Sequence, residues 1–537
     1  ILEIDKANLK ALFLLGSVFL NIGQYDNSVV YLNKVISINP SIVNAHSNLG
    51  IVHIKLKKYE DAKKFLKKAI ELNSNHLDAH NYLGVVYCEL GNFSKALDSV
   101  NKALKLDSNF FSAYNNLGII YKRFEYYNES EDSFKKAIQI NFNFKDPYFN
   151  LMELYEKTNQ NIKLDALIGK FEKIFKKNSV STLYKSHILF KKELYADAII
   201  ELKSISFSND FNLEIDRTNL LSKCYDKIDD IDNAFNYFEK TNLLKLNFQN
   251  KKINKNKFLS EIKKINDYFK NIKNKKYFSD IQNDFKPIFM IGFPRSGTTL
   301  LDTILRSHPL IEVVEEKTTV KNIVSSLNNL SKNSLENIYH LEEQKIEKIR
   351  KNYFDELYSH IDIQVKNKIY IDKLPLNIIY IAEILRIFPS AKFIISLRHP
   401  CDCVLSCYMQ NFKLNETMSN FLNLKDTAET YNLVMNLFQI YKSKFSFNFH
   451  EIRYEKLVFN FKNEIENLLN FLELSWNNEI LKYQKTATTR DRIFTPSYDQ
   501  VIKPIYSQSI GRWEKYKKQL SEVYPILEPW IKEFNYE

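Results

Sequence analysis

Through the first half of the chain apolar residues recur three and four positions apart, as in Ala79, Leu83, Val86 and Tyr87, so each stretch buries one face of a helix. Turns such as Leu90-Gly91-Asn92 separate helices of a dozen or so residues. On a longer scale, Gly16, Gly50, Gly84 and Gly118 stand 34 residues apart, each behind a leucine: Leu15, Leu49, Leu83 and Leu117. The same interval relates Tyr25, Tyr59, Phe93 and Tyr127, and again Val35, Ala69, Ala103 and Ala137. Agreement at three offsets marks a tandem array, in which small residues let paired helices approach and aromatic residues fill the space beside them. Farther along the pattern changes. Short apolar runs around 287–291, 369–372, 392–397 and 447–453, with helical stretches between, predict a mostly parallel sheet covered on both faces.

The array resembles the tetratricopeptide-repeat family over about residues 10–142, in period and in its small and aromatic positions. Beyond Asn141 the pattern decays: Asp146-Pro147-Tyr148-Phe149 opens another helix, and Tyr195-Ala196-Asp197-Ala198 and Ile231-Asp232-Asn233-Ala234 read as starts of second helices. The expected organisation is a repeat array over 1–248, a helical cap or linker over 249–285 and an α/β domain over 286–537. The resemblance implies a superhelix whose concave face suits an extended peptide or a protein partner. A rigid spacer or a homodimerisation surface is the alternative, because repeats specify architecture and not ligand.

Charge and cysteines narrow the picture. Lys and Arg number 76 against 64 Asp and Glu, a formal charge of +12, but the bases are interspersed with acids. An anionic ligand is favoured; nucleic acid is not, since no basic arm or aromatic-basic stripe concentrates the charge. The run Cys401-x-Cys403-x-x-x-Cys407 beside an apolar strand reads as reduced structural thiols and not as a metal site. Those thiols point to a reducing, cytoplasmic setting, and no apolar stretch has the length to cross a bilayer. The sequence opens at Ile1 inside a repeat, so an upstream targeting or anchor segment would alter that localisation.

The chemistry concentrates in the second half. An apolar run to Ile291 leads into Gly292-Phe293-Pro294-Arg295-Ser296-Gly297-Thr298-Thr299 and an amphipathic stretch from Leu300 to Ser307. Strand, glycine turn and helix in that order form an anion cradle of backbone N–H groups at a helix start. Against the triphosphate loop G-x-x-x-x-G-K-[ST], the lysine position holds Thr298 and the cation stands earlier, as Arg295. With no strand ending in a magnesium-binding Asp, an ATPase, kinase or other phosphotransferase loses support. A second apolar strand ends in Arg398, and Ser406 follows eight residues later, close enough to converge on one phosphate. Tyr370-Ile371-Asp372-Lys373 delivers an ammonium toward the same sheet end. Glu315-Glu316, separated from His308-Pro309 by five residues, reads as an acidic pair in a loop.

G-F-P-R-S-G-T-T-L-L resembles the P-loop-like phosphosulfate loop of the sulfotransferase family, in particular the protein-tyrosine sulfotransferase branch. That resemblance implies transfer of a sulfuryl group from 3′-phosphoadenylyl sulfate (PAPS) to a hydroxyl, leaving 3′,5′-adenosine bisphosphate (PAP), with no metal. Arg295, Ser296, Gly297, Thr298 and Thr299 would hold the 5′ end and Arg398 with Ser406 the 3′-phosphate. Tyr454 would lie near the nucleotide. Ser497 and Arg512, flanking the string Asp499-Gln500-Val501-Ile502-Lys503-Pro504, would reach the distal phosphate side. Lys373 and Arg295 would balance charge at the reacting group, and Glu316 would be the general base. The small-molecule branch carries a histidine base where this chain has Pro375. The tyrosine-sulfating enzymes carry an arginine where this chain has Thr318, which weakens the case for the same acidic tyrosine peptide. Acceptors left open are a protein or peptide, including a tyrosine, and a glycan or other hydroxyl. A repeat adaptor with an inert nucleotide-binding module is the competing class.

Overall fold

The computed structural model describes residues 8–249, 253–272, 286–330, 341–361, 368–489 and 509–536. The chain divides into two compact units, Ile1–Phe207 and Ser208–Glu537.

The first unit is an all-α array of six helical pairs, from Leu9–Asn21 with Tyr25–Ile38 to Ser179–Lys191 with Tyr195–Lys203. Its periodic glycines are contact points. A Cβ on Gly50 would lie 2.4 Å from Leu66, on Gly84 2.3 Å from Val100, and on Gly118 2.5 Å from Phe134. Each glycine of the first helix thus takes a side chain of the second helix directly on its backbone. The repeating Ala69, Ala103 and Ala137 are fully buried, and Val35 occupies the same place in the first pair.

In the second unit a further pair, Phe211–Lys227 and Ile231–Gln249, and the helix Lys255–Asn271 precede a five-stranded sheet. Its strands are β1 (Ile288–Gly292), β2 (Ile311–Glu315), β3 (Ile369–Lys373), β4 (Lys392–Leu397) and β5 (Asn448–Arg453). The order is β2-β3-β1-β4-β5 and every pairing is parallel. One core cluster joins Ile288, Met290, Val313, Ile371, Ile394 and Ile452 of the strands to Leu301, Ile304 and Leu305 of the helix Thr298–Arg306.

Four of these strands coincide with the predicted runs, and β2 is the one the pattern missed. The pair Glu315-Glu316 does not sit in an open loop, because Glu315 ends β2 in register with Lys373 of β3. Five residues, Ile-Glu-Val-Val-Glu, carry too little alternation to stand out.

Candidate active site

In this order the chain turns from one side of β1 to the other, and the crevice at the carboxyl ends of β1 and β4 is where such sheets bind ligands. Both strands end in an arginine-bearing turn. After β1, Arg295 adopts φ 69° and Gly297 φ 100°. A side chain on Gly297 would be strained and would press its Cβ to 2.7 Å from the Tyr454 ring. Gly292 lies against β4: its Cβ would stand 2.5 Å from the Ser396 carbonyl oxygen. Helix Thr298–Arg306 starts at Gly297 with no side chain capping it, so its first N–H groups face the turn.

The two arginines meet here. Arg295 Nε donates to Ser406 Oγ at 3.0 Å, and Arg398 Nη1 donates to the Arg295 carbonyl at 3.2 Å. The Arg398 guanidinium also lies 4.9 Å from the centroid of the Tyr454 ring and donates to the Ser509 carbonyl. Ser296 Oγ and Arg398 Nε are buried and have no hydrogen-bond partner among the described residues. Open helix amides, two guanidinium groups and a buried hydroxyl fit an anionic ligand and suit a cation poorly.

Beside them, at the ends of β2 and β3, stands a buried ammonium. Lys373 is 0% exposed. Its Nζ lies 2.9 Å from Glu315 Oε1, 3.3 Å from Glu316 Oε1 and 3.9 Å from Asp302 Oδ2. Burial works against its charge, but the carboxylates of Glu315, Asp302 and Glu316 outweigh it and hold the ammonium above its usual range. Glu316 has φ 51°, its N–H donates to the Lys373 carbonyl at 2.7 Å, and its side chain is 37% exposed while Glu315 is 5%. The strained backbone turns Glu316 outward from a fixed point. Next to Lys373, burial pushes Asp372 up to about 6 against hydrogen bonds from Thr319 and Tyr353.

Residues 287–478 match the sulfotransferase family, and residues 9–42, 41–109 and 111–144 match tetratricopeptide repeats. The chain joins a tetratricopeptide-repeat region to a sulfotransferase-family domain. An uncharacterized protein of Aquifex aeolicus (strain VF5) is 32% identical over 255 residues, covering 46% of this chain and 33% of that protein. Protein-tyrosine sulfotransferase 1 of Danio rerio is 24% identical over 238 residues, covering 43% of this chain and 66% of that protein. The match thus spans a third of the first relative and under two thirds of the second, and the relation to protein-tyrosine sulfotransferases is distant. A solved tetratricopeptide-repeat protein from Parabacteroides merdae is 19% identical, with TM-score 0.35 over 42% of this chain and 88% of that one.

Of the residues expected at the site of the sulfotransferase-family domain, Arg295, Ser406, Arg398 and Tyr454 come together, and Lys373 joins Glu316. Thr298 and Thr299 open the loop helix. Arg512 pairs through its Nη2 with Asp226 Oδ1 at 2.8 Å. Ser497 lies outside the described residues. Asp302 and Asp402 carry no motif, and only their spatial partners reveal them, while Glu315 belongs to the acidic pair already singled out but is shown as the Lys373 partner only by the fold. The cysteines have buried thiols, and Cys407 donates to the Pro294 carbonyl beneath the loop at 3.3 Å. No group of three or more metal-ligating side chains occurs among the described residues, and no described helix is long and apolar enough to cross a membrane.

Proposed function

We propose that the sulfotransferase-family domain transfers a sulfuryl group from PAPS to a hydroxyl acceptor. The reading rests on the convergence of Arg295, Ser406, Arg398 and Tyr454 on one crevice, with Lys373 and Glu316 on the adjoining strand ends. Bound PAPS supplies a sulfuryl group on a phosphosulfate linkage whose departure leaves PAP.

The loop N–H groups from Gly297 to Thr299, with the Ser296, Thr298 and Thr299 hydroxyls, hold the 5′ end in the manner of a phosphosulfate loop. Arg398 and Ser406 grip the 3′-phosphate, and Tyr454 supports the Arg398 plane. Glu316, the most exposed of the three carboxylates around Lys373, takes the proton of the acceptor hydroxyl as that oxygen attacks in line. Lys373 and Arg295 balance charge on the sulfuryl and on the departing phosphate, so fixed cations do the electrostatic work. A polymeric acceptor, protein tyrosine among the candidates, is recruited by the repeat array over residues 1–248.

Isothermal titration of PAP into the full chain without magnesium tests the reading. Loss of a charge-assisted contact is worth roughly 1.5–3 kcal/mol, so Arg398→Ala weakens binding about 10- to 100-fold. Equal affinity in the variant overturns the assignment.

A further inference from the structure

Residues 509–520 run between two sets of carboxylates. On one side is Asp402, one helical turn beyond Arg398 and 2% exposed. Its Oδ2 accepts the Gly511 N–H and its Oδ1 the Trp513 N–H, each at 2.9 Å. The ring of Trp513 stacks on His399 at 4.8 Å and 8°. Opposite lies the acidic end of the helical pair 211–249. Asp226 Oδ1 receives the Tyr516 hydroxyl at 2.7 Å and Arg512 Nη2 at 2.8 Å. Asp229 takes Lys515, and Asp232 takes Gln519 at 2.9 Å.

The geometry has a consequence for Arg398. Asp402 Oδ2 stands 3.7 Å from Arg398 Nη2, close enough to claim it. Burial raises the Asp402 carboxyl above its usual range against the Arg398 charge and the two backbone amides, which fill one site on each oxygen and so lessen the carboxylate's claim on the guanidinium. The same segment offers the Ser509 carbonyl to Arg398 and so helps to fix the guanidinium plane. If the segment lifted, Asp402 would be left buried and short of donors, and Arg398 would be drawn onto it and away from a phosphate.

We propose that Arg512 and Asp226 are a positioning pair: they pin residues 509–516 so that the amides of Gly511 and Trp513 occupy Asp402 and leave Arg398 aimed at phosphate. Arg512 then acts through Arg398 and does not itself touch the nucleotide, and the helical pair 211–249 is part of the nucleotide pocket's frame. The inference rests on the proposed PAPS reading. It differs in sign from a role for Arg512 as a direct phosphate ligand. Removing Asp226 would free a direct ligand and leave binding equal or tighter, whereas losing a positioning partner weakens it.

The test is calorimetric titration of PAP into the full chain as wild type, Asp226→Ala, Asp402→Ala and the double variant, each checked by circular dichroism and thermal melting. Asp226→Ala weakens PAP binding about tenfold, Asp402→Ala leaves it within about threefold of wild type, and the double variant returns to the affinity of Asp402→Ala. Such rescue would not follow from general loosening of the fold. If Asp226→Ala does not fold, Arg512→Gln takes its place, with the same weakening and the same rescue. Unchanged or tighter binding in Asp226→Ala, or a double variant no better than Asp226→Ala, overturns the inference and leaves the proposed function standing. Failure of the wild type to bind PAP overturns both.

Discussion

At the scale of single residues the chemistry hangs on how Lys373 is compensated. Three carboxylates surround one fully buried ammonium, and they differ in exposure: Asp302 at 0%, Glu315 at 5% and Glu316 at 37%. Asp302 is held by Arg306 at 2.9 Å and Glu315 faces Lys373 across the β2–β3 pairing, so both are fixed counter-charges. Glu316 is farther from Lys373 than Glu315 and open to solvent, and the proposed function makes it the group that meets the acceptor hydroxyl. Glu316→Gln is therefore expected to lower kcat by about 10²- to 10⁴-fold, the usual worth of a general base, while PAP affinity stays within about threefold. Pairing steady-state transfer of labelled sulfate with PAP titration checks this, and a variant that loses affinity and turnover together would mark Glu316 as a binding group. The places of the loop, Arg398 and Lys373 at strand ends were legible because each follows or closes an apolar run local in sequence. Asp302 was not: four residues before Arg306, it reads as half of a surface helix pair, and only the fold reveals that it is buried beside Lys373.

At the scale of elements, the short helix Ile381–Ile387 carries a carboxylate into the interior. Glu383 is 5% exposed, and its Oε2 has no partner among the described residues. Burial, with Glu261 adding to it, pushes its carboxyl from 4.5 to about 8. The folded state therefore holds this proton more tightly than the unfolded chain. Below about pH 4.5 both states are protonated and Glu383 costs nothing; through the window from 4.5 to 8 stability falls as pH rises, and above 8 the full penalty is present. Glu383→Gln keeps the shape and removes the titration, so it should unfold at a higher temperature than wild type at pH 8.5 and show no advantage near pH 4. Thermal melts across that range check it, and a constant offset at every pH would refute the assignment. Asp372, pushed to about 6, adds a smaller dependence at lower pH that the variant retains. Elements of this kind set the limit of what the pattern reveals. The repeats were legible because one contact, Gly84 under Val100 or Gly118 under Phe134, recurs at a fixed interval. The strand β2 and the acid within Ile381–Ile387 occur once and take their meaning from partners distant in sequence.

At the scale of the whole molecule, the helical pair Phe211–Lys227 and Ile231–Gln249 looks like a fading repeat in sequence, yet it belongs to the compact unit that contains the sheet. Asn242 Nδ2 donates to the Tyr408 carbonyl at 3.0 Å and Lys245 to the Phe412 carbonyl at 3.4 Å, more than 160 residues away. Burial, with Lys223 adding to it, lowers Lys245 to about 8, which fits a lysine taken into an interior. No helical period carries such partners, so the pattern could not distinguish a pair that caps an array from one that frames a nucleotide pocket. Truncation distinguishes them. A chain of residues 208–537 keeps Asp226, Asp229, Asp232 and every strand, whereas one of residues 250–537 loses these three acids and holds the segment 509–520 through Asp402 without them. The longer chain is expected to bind PAP within about threefold of the full protein and the shorter one about tenfold more weakly. If the repeats recruit the acceptor, the 208–537 chain should also lose transfer to a polymeric acceptor while keeping its PAP affinity. Equal PAP affinity in the two truncated chains would reduce the pair 211–249 to a spacer, and full transfer to a polymer by the 208–537 chain would remove the first six helical pairs from acceptor recognition.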